Sequence, residues 1–238
     1  MKTIIIYGIE HKGSTYSVVQ MFKNKLNIHE SDLKEFYLPK DMPHFCIGCN
    51  NCFFKGEKFC PHQEYITPIK EALCNADLII FASPVYVLNI TGQMKTFLDH
   101  FAFQFMIHRP NLSMFSKTAL VISVAAGGGM RSAIKAVTSN LTSWGISKKF
   151  TFGQAVFAAN WKNIPEKRKR KMEQKIENLS QQILKKIKMK KISFKIKLLF
   201  LFYRMIQKKF GHSQCDKDYW QEKGWLDKNR PWKNYDKL

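Results

Sequence analysis

Short runs of β-branched and other apolar residues alternate with amphipathic stretches through the first 160 residues of this chain. The first run, Thr3 to Ile6, is typical of a strand buried on both faces of a sheet. The runs that predict strands cover residues 2–8, 33–38, 77–83, 118–125 and 150–157. Apolar residues at helical spacing predict helices from Ser14 (as the cap), at 64–75, at 93–105, from about 134 to 145, and from Pro165. Such alternation predicts a parallel α/β sheet with helices on both faces, a three-layer sandwich.

The loops that follow the strands are the candidate sites, because parallel α/β sheets bind ligands at the carboxyl ends of their strands. The loop after the first strand, residues 8–16, opens a helix whose N–H groups and dipole favour a phosphate. Ser14 and Thr15 add hydroxyl donors, and His11 or Lys12 can add charge. The same residues would also form an ordinary helix start, so both interpretations stay open.

Two further loops, after the third and fourth strands, can contact a ligand with backbone groups. Pro84 sets a rigid turn, and residues 85–87 after it offer backbone groups and an aromatic wall to a flat ring. The glycines at 127–129 allow a close backbone approach, because they have no Cβ. A flexible turn is the alternative interpretation of the glycine run.

Four cysteines lie within fifteen residues, at Cys46, Cys49, Cys52 and Cys60, and Pro61 follows the last of them. Thiols at a spacing of three suit a compact iron–sulfur cluster, and the bacterial ferredoxin run has the same opening gaps and a closing Cys-Pro. Zinc also binds four thiolates, although its ligands usually form two Cys-x-x-Cys pairs across a longer gap. A 4Fe-4S cluster is the favoured interpretation, while zinc and metal-free cysteines stay open.

The length of 238 residues and the apolar content of 45% support one α/β domain with an appendage. The apolar run at 4–7 is too short for a signal peptide, and no apolar stretch approaches the roughly 18 residues of a membrane span. We therefore expect cytoplasmic residence and reduced thiols, which disfavours a disulfide.

The net charge of +21 is concentrated near the carboxyl end of the chain. Residues 1–161 carry 16 basic and 10 acidic side chains, whereas residues 162–238 carry 23 and 8. Such a segment could attract an anionic membrane, nucleic acid or an acidic protein. Lysines on solvated helix faces are the simpler interpretation, and we expect no nucleic-acid partner because no motif for one accompanies the charge.

We expect a main domain at 1–190, with the cysteine loop at 45–61, and a basic, aromatic extension at 191–238. Residues 194–210 predict a helix that is apolar on all sides and therefore requires burial. Docking on the main domain or on a second subunit is favoured over peripheral contact with a membrane surface. The last segment, with Tyr219, Trp220, Trp225 and Trp232, predicts a loop and a short helix held by aromatic side chains.

The loop motifs resemble those of a known family. The turn Ser83-Pro84-Val85-Tyr86, followed by Asn89, Gly92, Gln93, Lys95, Phe97 and Asp99, resembles the flavin-loop signature of the NADPH-dependent FMN reductase family. The glycine run resembles the second flavin loop of that family, and the cysteine run resembles the cluster motif of its iron–sulfur flavoprotein branch. The resemblance covers residues 1 to about 190. It implies a flavodoxin-like α/β fold with a five-stranded parallel sheet of order 2-1-3-4-5, here with a C-terminal helical extension.

The resemblance also implies the cofactors FMN and 4Fe-4S, with NAD(P)H as co-substrate. The cofactor-binding residues that it implies are His11, Ser14, Thr15 and Tyr16 at the phosphate, Pro84, Val85, Tyr86, Val87 and Asn89 at the isoalloxazine ring, and Ala126, Gly127, Gly128 and Gly129 at the other ring edge. The cluster ligands would be Cys46, Cys49, Cys52 and Cys60. No catalytic side chain is expected, because hydride transfer takes place at the flavin. The family is commonly dimeric, with the cluster near a flavin across the subunit interface.

The implied function is an FMN-dependent oxidoreductase that passes electrons from a nicotinamide or another low-potential donor to a small acceptor such as a quinone, a flavin or an oxygen species. Two alternatives stay open. The chain could be an electron-transfer module whose basic extension docks on a partner oxidoreductase. It could also be a redox sensor that works through its cysteines.

Overall fold

The computed structural model describes residues 1–189, 191–211 and 213–233. Its strands are β1 (Thr3–Tyr7), β2 (Leu33–Tyr37), β3 (Leu78–Pro84), β4 (Thr118–Ala125) and β5 (Lys148–Ala155). They form one sheet of order β2-β1-β3-β4-β5, in which every neighbouring pair is parallel. The predicted flavodoxin-like sheet is confirmed, although its fifth strand begins at Lys148 rather than at residue 150.

The helices are α1 (Ser14–Lys25), α2 (Asn51–Phe54), α3 (Gln63–Asn75), α4 (Gly92–His100), α5 (Met130–Ser143), α6 (Glu166–Ile187), α7 (Phe194–Phe210) and α8 (Gln214–Glu222). The predicted helix at 93–105 was too long. It ends at His100, and the chain turns so that Phe101 and Phe103 both enter the core. Residues two apart in a continuous helix would point to nearly opposite sides.

The core has two halves, one on each face of the sheet. On one face, α1 and α6 bury Phe22 and Ile176 against the strands. On the other face, α3, α4 and α5 bury Ile69, Phe97 and Val137. The middle strands are therefore enclosed from both sides, which explains the absence of polar alternation in β1, β3 and β4.

The C-terminal extension forms a third cluster at the edge of the main domain. Phe200 of α7 packs between Trp220 and Trp225, with ring centroids 5.1 and 5.4 Å away. This cluster also includes Met106 and Phe115 of the main domain. One face of α7 thus docks on the main domain, as predicted. Residues 234–238 lie outside the described part of the chain.

Candidate functional site

An open cleft of about 250 Å³ lies at the carboxyl ends of the parallel strands. It is lined by Ile9, His11, Gly13, Ser14, Thr15, Pro84, Val85, Tyr86, Val124, Ala125, Ala126, Val156, Ala158 and Ala159. The cleft brings together parts of the loops after β1, β3 and β4 that the sequence singled out. Its walls do not include Tyr16, Val87, Asn89 or the glycines at 127–129.

One end of the cleft is formed by the start of α1. Gly13, rather than Ser14, is the capping residue, and it offers no side chain to the first N–H groups. The expectation that Ser14 caps the helix was therefore wrong, since Ser14 is already helical. The first turn also has no acidic residue, so its N–H groups and the helix dipole present positive potential to the cleft. This combination fits an anionic group such as a phosphate.

Tyr16 lies beside this helix start rather than in the cleft wall. Its ring centroid is 5.8 Å from that of Tyr7, and the Lys12 ammonium lies 5.2 Å from it. The tyrosine can therefore hold Lys12 near the helix start through a cation–π contact.

The loop after β3 forms a tight hairpin turn that projects from the protein. Tyr86 and Asn89 exchange two backbone hydrogen bonds of 2.9 and 3.0 Å around Val87 and Leu88. Both central residues have positive φ, 47° and 60°, which is the geometry of a type I′ turn and is unfavourable for a β-branched valine. The Val87 side chain is 99% exposed. Such strain at an exposed apolar tip is typical of a ligand-contacting segment.

Gly129, the last glycine of the triplet, packs closely against this turn. Gly129 has a φ of +90°, and a Cβ there would lie 2.6 Å from Val85 Cγ1 and 2.9 Å from Leu88 Cα. Only glycine fits that contact without moving the turn. Gly127 and Gly128 have no such neighbour within 4 Å of a Cβ, so the space beside them is open.

A buried hydrogen-bond lock joins the loops after β1 and β3. The Thr91 hydroxyl donates to the Gly8 carbonyl at 2.6 Å and accepts from the Met94 N–H at 3.2 Å, where it caps α4. The Thr91 N–H in turn donates to Ser83 Oγ at 3.2 Å. These contacts fix the two principal walls of the cleft relative to each other.

The sequence reasoning missed the fourth wall, which follows β5. The Val156 N–H donates to the Ala125 carbonyl at 2.9 Å, and the Phe157 N–H donates to Ala126 at 2.8 Å. The loop thereby continues the sheet edge beyond the strands. The same rule that selected the other strand ends would have found it, since β5 ends at the same edge of the sheet.

The four cysteines line a second and smaller cavity of about 60 Å³. Cys46 and Cys49 are exposed, while Cys52 and Cys60 are half-buried. Burial, followed by the neighbouring thiols of Cys60 and Cys46, raises the pKa of Cys52 to about 11. Four thiols that line one cavity are suited to a cation that keeps them deprotonated.

Two histidines lie beside this cavity. His62 Nδ1 and His100 Nε2 are 3.0 Å apart, and His100 Nδ1 lies 2.9 Å from the Thr96 carbonyl. Together with Cys60 they offer a sulfur and two nitrogens within 4.8 Å of one another. Zinc accepts such mixed ligands, so the donor set fits zinc as well as a cluster held by four thiolates.

The cysteine loop is held by residues far away in the sequence. The Arg109 guanidinium donates to the Cys52 carbonyl and pairs with the Asp216 carboxylate of α8. Both side chains of this ion pair are buried. The Ser213 hydroxyl donates to the Phe53 carbonyl at 2.7 Å.

His108 and Glu57 extend this network. His108 Nδ1 lies 2.8 Å from Asp216 Oδ2, and Lys70 donates to Glu57 at 2.6 Å. Glu57 also lies 3.4 Å from Arg109. We call Arg109, Asp216, Ser213, His108 and Glu57 the C-terminal clamp, because they tie the cysteine loop to the C-terminal extension.

Residues 1–162 match the model of the NADPH-dependent FMN reductase family. The chain belongs to this family. Family membership identifies it as an FMN-dependent oxidoreductase, which agrees with a cleft at the strand ends and an open helix start. Within the described ranges, no helix combines the length and the apolar character that crossing a bilayer needs.

Curated relatives include iron–sulfur flavoproteins. One from Archaeoglobus fulgidus is 28% identical over 233 residues, which cover 95% of this chain and 100% of the relative. Another from Methanocaldococcus jannaschii is 32% identical over 99 residues, 42% of this chain and 50% of the relative. The first of these matches includes the C-terminal extension.

Solved structures confirm the fold. An FMN-dependent NADH-azoreductase from Bacillus anthracis, solved in complex with FMN, superposes with a TM-score of 0.58 at 13% identity. The match covers 77% of this chain and 99% of the azoreductase. A Streptococcus mutans protein superposes with a TM-score of 0.55 at 15% identity, over 77% of this chain and 100% of that protein.

Proposed function

We propose that this chain uses FMN to pass electrons from NAD(P)H to a small acceptor such as a quinone, a flavin or an oxygen species. The observation that carries this proposal is the cleft. One end of it is an uncapped helix start without acidic residues, and the strained apolar turn and the glycine run, with open space beside it, belong to the loops that follow its strands. These are the surfaces that a phosphate and a flat aromatic ring require.

The chain's own residues would bind and orient the cofactor. His11, Ser14, Thr15 and Tyr16 would hold the phosphate end, with hydroxyl and N–H donors directed by the start of α1. Pro84, Val85, Tyr86, Val87 and Asn89 would form one wall for the ring, and Ala126, Gly127, Gly128 and Gly129 would approach its other edge. FMN, when bound, supplies the hydride and electron chemistry. The protein needs no general acid or base for that step.

The second part of the proposal assigns a 4Fe-4S cluster to Cys46, Cys49, Cys52 and Cys60. It is supported by the single cavity that all four line and by the names of the curated relatives. Such a cluster supplies transfer of one electron at a time. We further propose a cytoplasmic homodimer in which the cluster of one subunit lies near the flavin cleft of the other.

A titration of the purified chain with FMN, followed by anaerobic addition of NADPH or NADH, tests the flavin part. We expect about one FMN per chain, bleaching of the flavin absorbance by at least one nicotinamide, and steady turnover with a quinone. Tyr86→Ala removes the aromatic wall and should weaken FMN binding about tenfold, as loss of an aromatic contact does. Phe202→Ala, which changes a similarly exposed aromatic residue on α7, should not.

A second candidate is an electron-transfer module that serves a partner oxidoreductase. The exposed apolar tip at Val87 and Leu88 favours it, because a partner could cover this tip beside the cleft. That candidate predicts FMN binding without bleaching by either nicotinamide. A chain that binds no FMN would contradict both candidates and favour the cysteine-based sensor.

A further inference from the structure

Helix α7 has an apolar face on each side. Its inner face, with Ile196 and Phe200, is buried in the aromatic cluster of the extension. The apolar side chains that point away from this cluster are between 41% and 74% exposed, and they are Phe194, Leu198, Leu201, Phe202, Met205 and Phe210. The first five follow helical spacing and form one stripe. We call this stripe the outer face of α7.

This stripe lies within a segment without a negative charge. Between Glu177 and Asp216 the sequence has ten basic and no acidic residues. Lys195, Lys208 and Lys209 of α7 are exposed. At 3.6 residues per turn Lys195 and Lys208 fall on the two flanks of the stripe, and Lys209 follows its carboxyl end.

More cations lie near the amino end of α7. Lys188 and Lys191 are exposed just before the helix. Lys148 donates to the Met189 carbonyl at 3.0 Å, which places its ammonium there as well. The outer face is therefore an apolar stripe with a cationic border and no carboxylate from its own segment.

We propose that the outer face of α7 binds the surface of an anionic lipid bilayer. A helix that lies flat in a membrane interface inserts apolar side chains between headgroups while lysines on its flanks reach the lipid phosphates. The stripe of α7, about 17 Å long from Phe194 to Met205 at 1.5 Å per residue, has this arrangement. The helix is already held by its inner face, so binding would not need to order it first.

The same charges argue against a second copy of the chain as the occupant. A two-fold interface would place the same patch on both sides, so the lysines of one copy would face those of the other. No acidic residue of the segment could compensate. An anionic surface neutralises these lysines instead. Each basic residue near such a surface increases the binding affinity about fivefold.

Co-sedimentation of the full-length chain with lipid vesicles tests this proposal. We expect binding to vesicles of phosphatidylcholine and phosphatidylglycerol, weaker binding at high salt, and none to phosphatidylcholine alone. Leu198→Ser, Phe202→Ser and Met205→Ser combined should abolish binding without loss of fold, because these side chains are exposed.

A set of charge variants on α7 tests the role of the lysines, and a matched set on α6 is its control. Lys195→Gln, Lys208→Gln and Lys209→Gln combined should weaken binding roughly 100-fold. Lys167→Gln, Arg170→Gln and Lys171→Gln combined remove the same charge from exposed positions of α6 and should have a much smaller effect.

Several results would overturn the proposal. One is a wild-type chain that does not sediment with the anionic vesicles, and another is a triple serine variant that binds as wild type does. If light scattering shows that the serine variant has a smaller oligomer and the wild type ignores vesicles, a second copy covers the face. Binding to polyglutamate but not to vesicles would instead indicate an acidic protein partner.

Discussion

The strand-end cleft and the cysteine cavity are built from different parts of the chain. Every wall of the cleft lies at or after the end of a strand, and the loops after β1 and β3 are joined directly to each other by the hydrogen bond from Thr91 to Gly8. The cysteine loop instead lies between β2 and α3, with only the four-residue helix α2 and one 3-10 turn of its own. Its principal anchors come from Arg109 and from the start of α8.

The difference shows which part of each site the fold supplies. A parallel sheet presents its strand-end loops at one edge without help from remote residues. A long loop with little secondary structure has no such support, so its position depends on the C-terminal clamp. A substitution in the residues that hold one site should therefore change binding at that site and leave binding at the other unchanged.

The largest difference between the effects on the two sites is expected when the thiols are removed. Cys52→Ser together with Cys60→Ser should abolish iron binding, because two of the four thiolates are lost. FMN affinity should stay within about twofold, since neither residue lines the cleft. Iron analysis and an FMN titration on the same preparation measure both. Iron retained by this variant would contradict the assignment of the cluster.

Asp216→Asn tests the clamp. It leaves the buried Arg109 charge without its principal partner, which should cost about 3 kcal/mol of the free energy of unfolding. Hydrogen exchange should increase at 46–60 and stay unchanged in the cleft loops. Asp218→Asn on the same helix is exposed and serves as the control. Equal exchange in the two variants would show that the clamp does not hold the loop.

Gly129→Ala tests the support of the cleft rather than that of the cysteine loop. Its positive φ and the short contacts to Val85 and Leu88 should cost about 2 kcal/mol and displace the hairpin turn. FMN affinity should fall at least tenfold, while iron content stays unchanged. Gly92→Ala, where a Cβ meets nothing within 4 Å, should change neither quantity. Loss of both cofactors in Gly129→Ala would contradict the independence of the two sites.

Thr91→Val removes both the cap of α4 and the donor to the Gly8 carbonyl. The expected loss is about 1–2 kcal/mol in urea unfolding, with a smaller drop in FMN affinity than for Gly129→Ala. Thr91→Ser keeps the hydroxyl and should recover most of the stability. If serine behaves like valine, packing of the methyl group rather than the hydrogen-bond lock accounts for the effect.

The smallest expected effect is a pH dependence of the clamp. Burial alone would raise the pKa of Glu57, but the hydrogen bond from Lys70 and further favourable contacts outweigh it and hold the pKa below its ordinary value of 4.5. This stabilisation is therefore present above pH 4.5 and is lost as the pH falls through the lower, folded-state pKa. Hydrogen exchange of the cysteine loop, measured against pH, should show an acid-induced increase that Glu57→Gln removes. An unchanged profile in that variant would exclude Glu57 as the source.

The sequence predicted those features that depend on local pattern. The buried run at Thr3 to Ile6 identified a central strand, and the glycine triplet identified the loop after β4, whose first residue Ala126 lines the cleft, because both features are set by neighbouring residues. The clamp could not be predicted, since nothing local relates Arg109 to Asp216, 107 residues later. The end of α4 was missed for a similar reason, because tertiary packing of Phe101 and Phe103 overrides helical periodicity.

The central claim is that this one chain holds FMN in the strand-end cleft and an iron–sulfur cluster on its cysteine loop. Anaerobic purification of the full-length chain, followed by quantification of FMN, iron, sulfide and zinc, tests it most directly. The account predicts about one FMN, four iron and four sulfide per chain, with little zinc. Zinc in place of iron would contradict the cluster, and a preparation that neither retains nor rebinds FMN would contradict the flavin cleft.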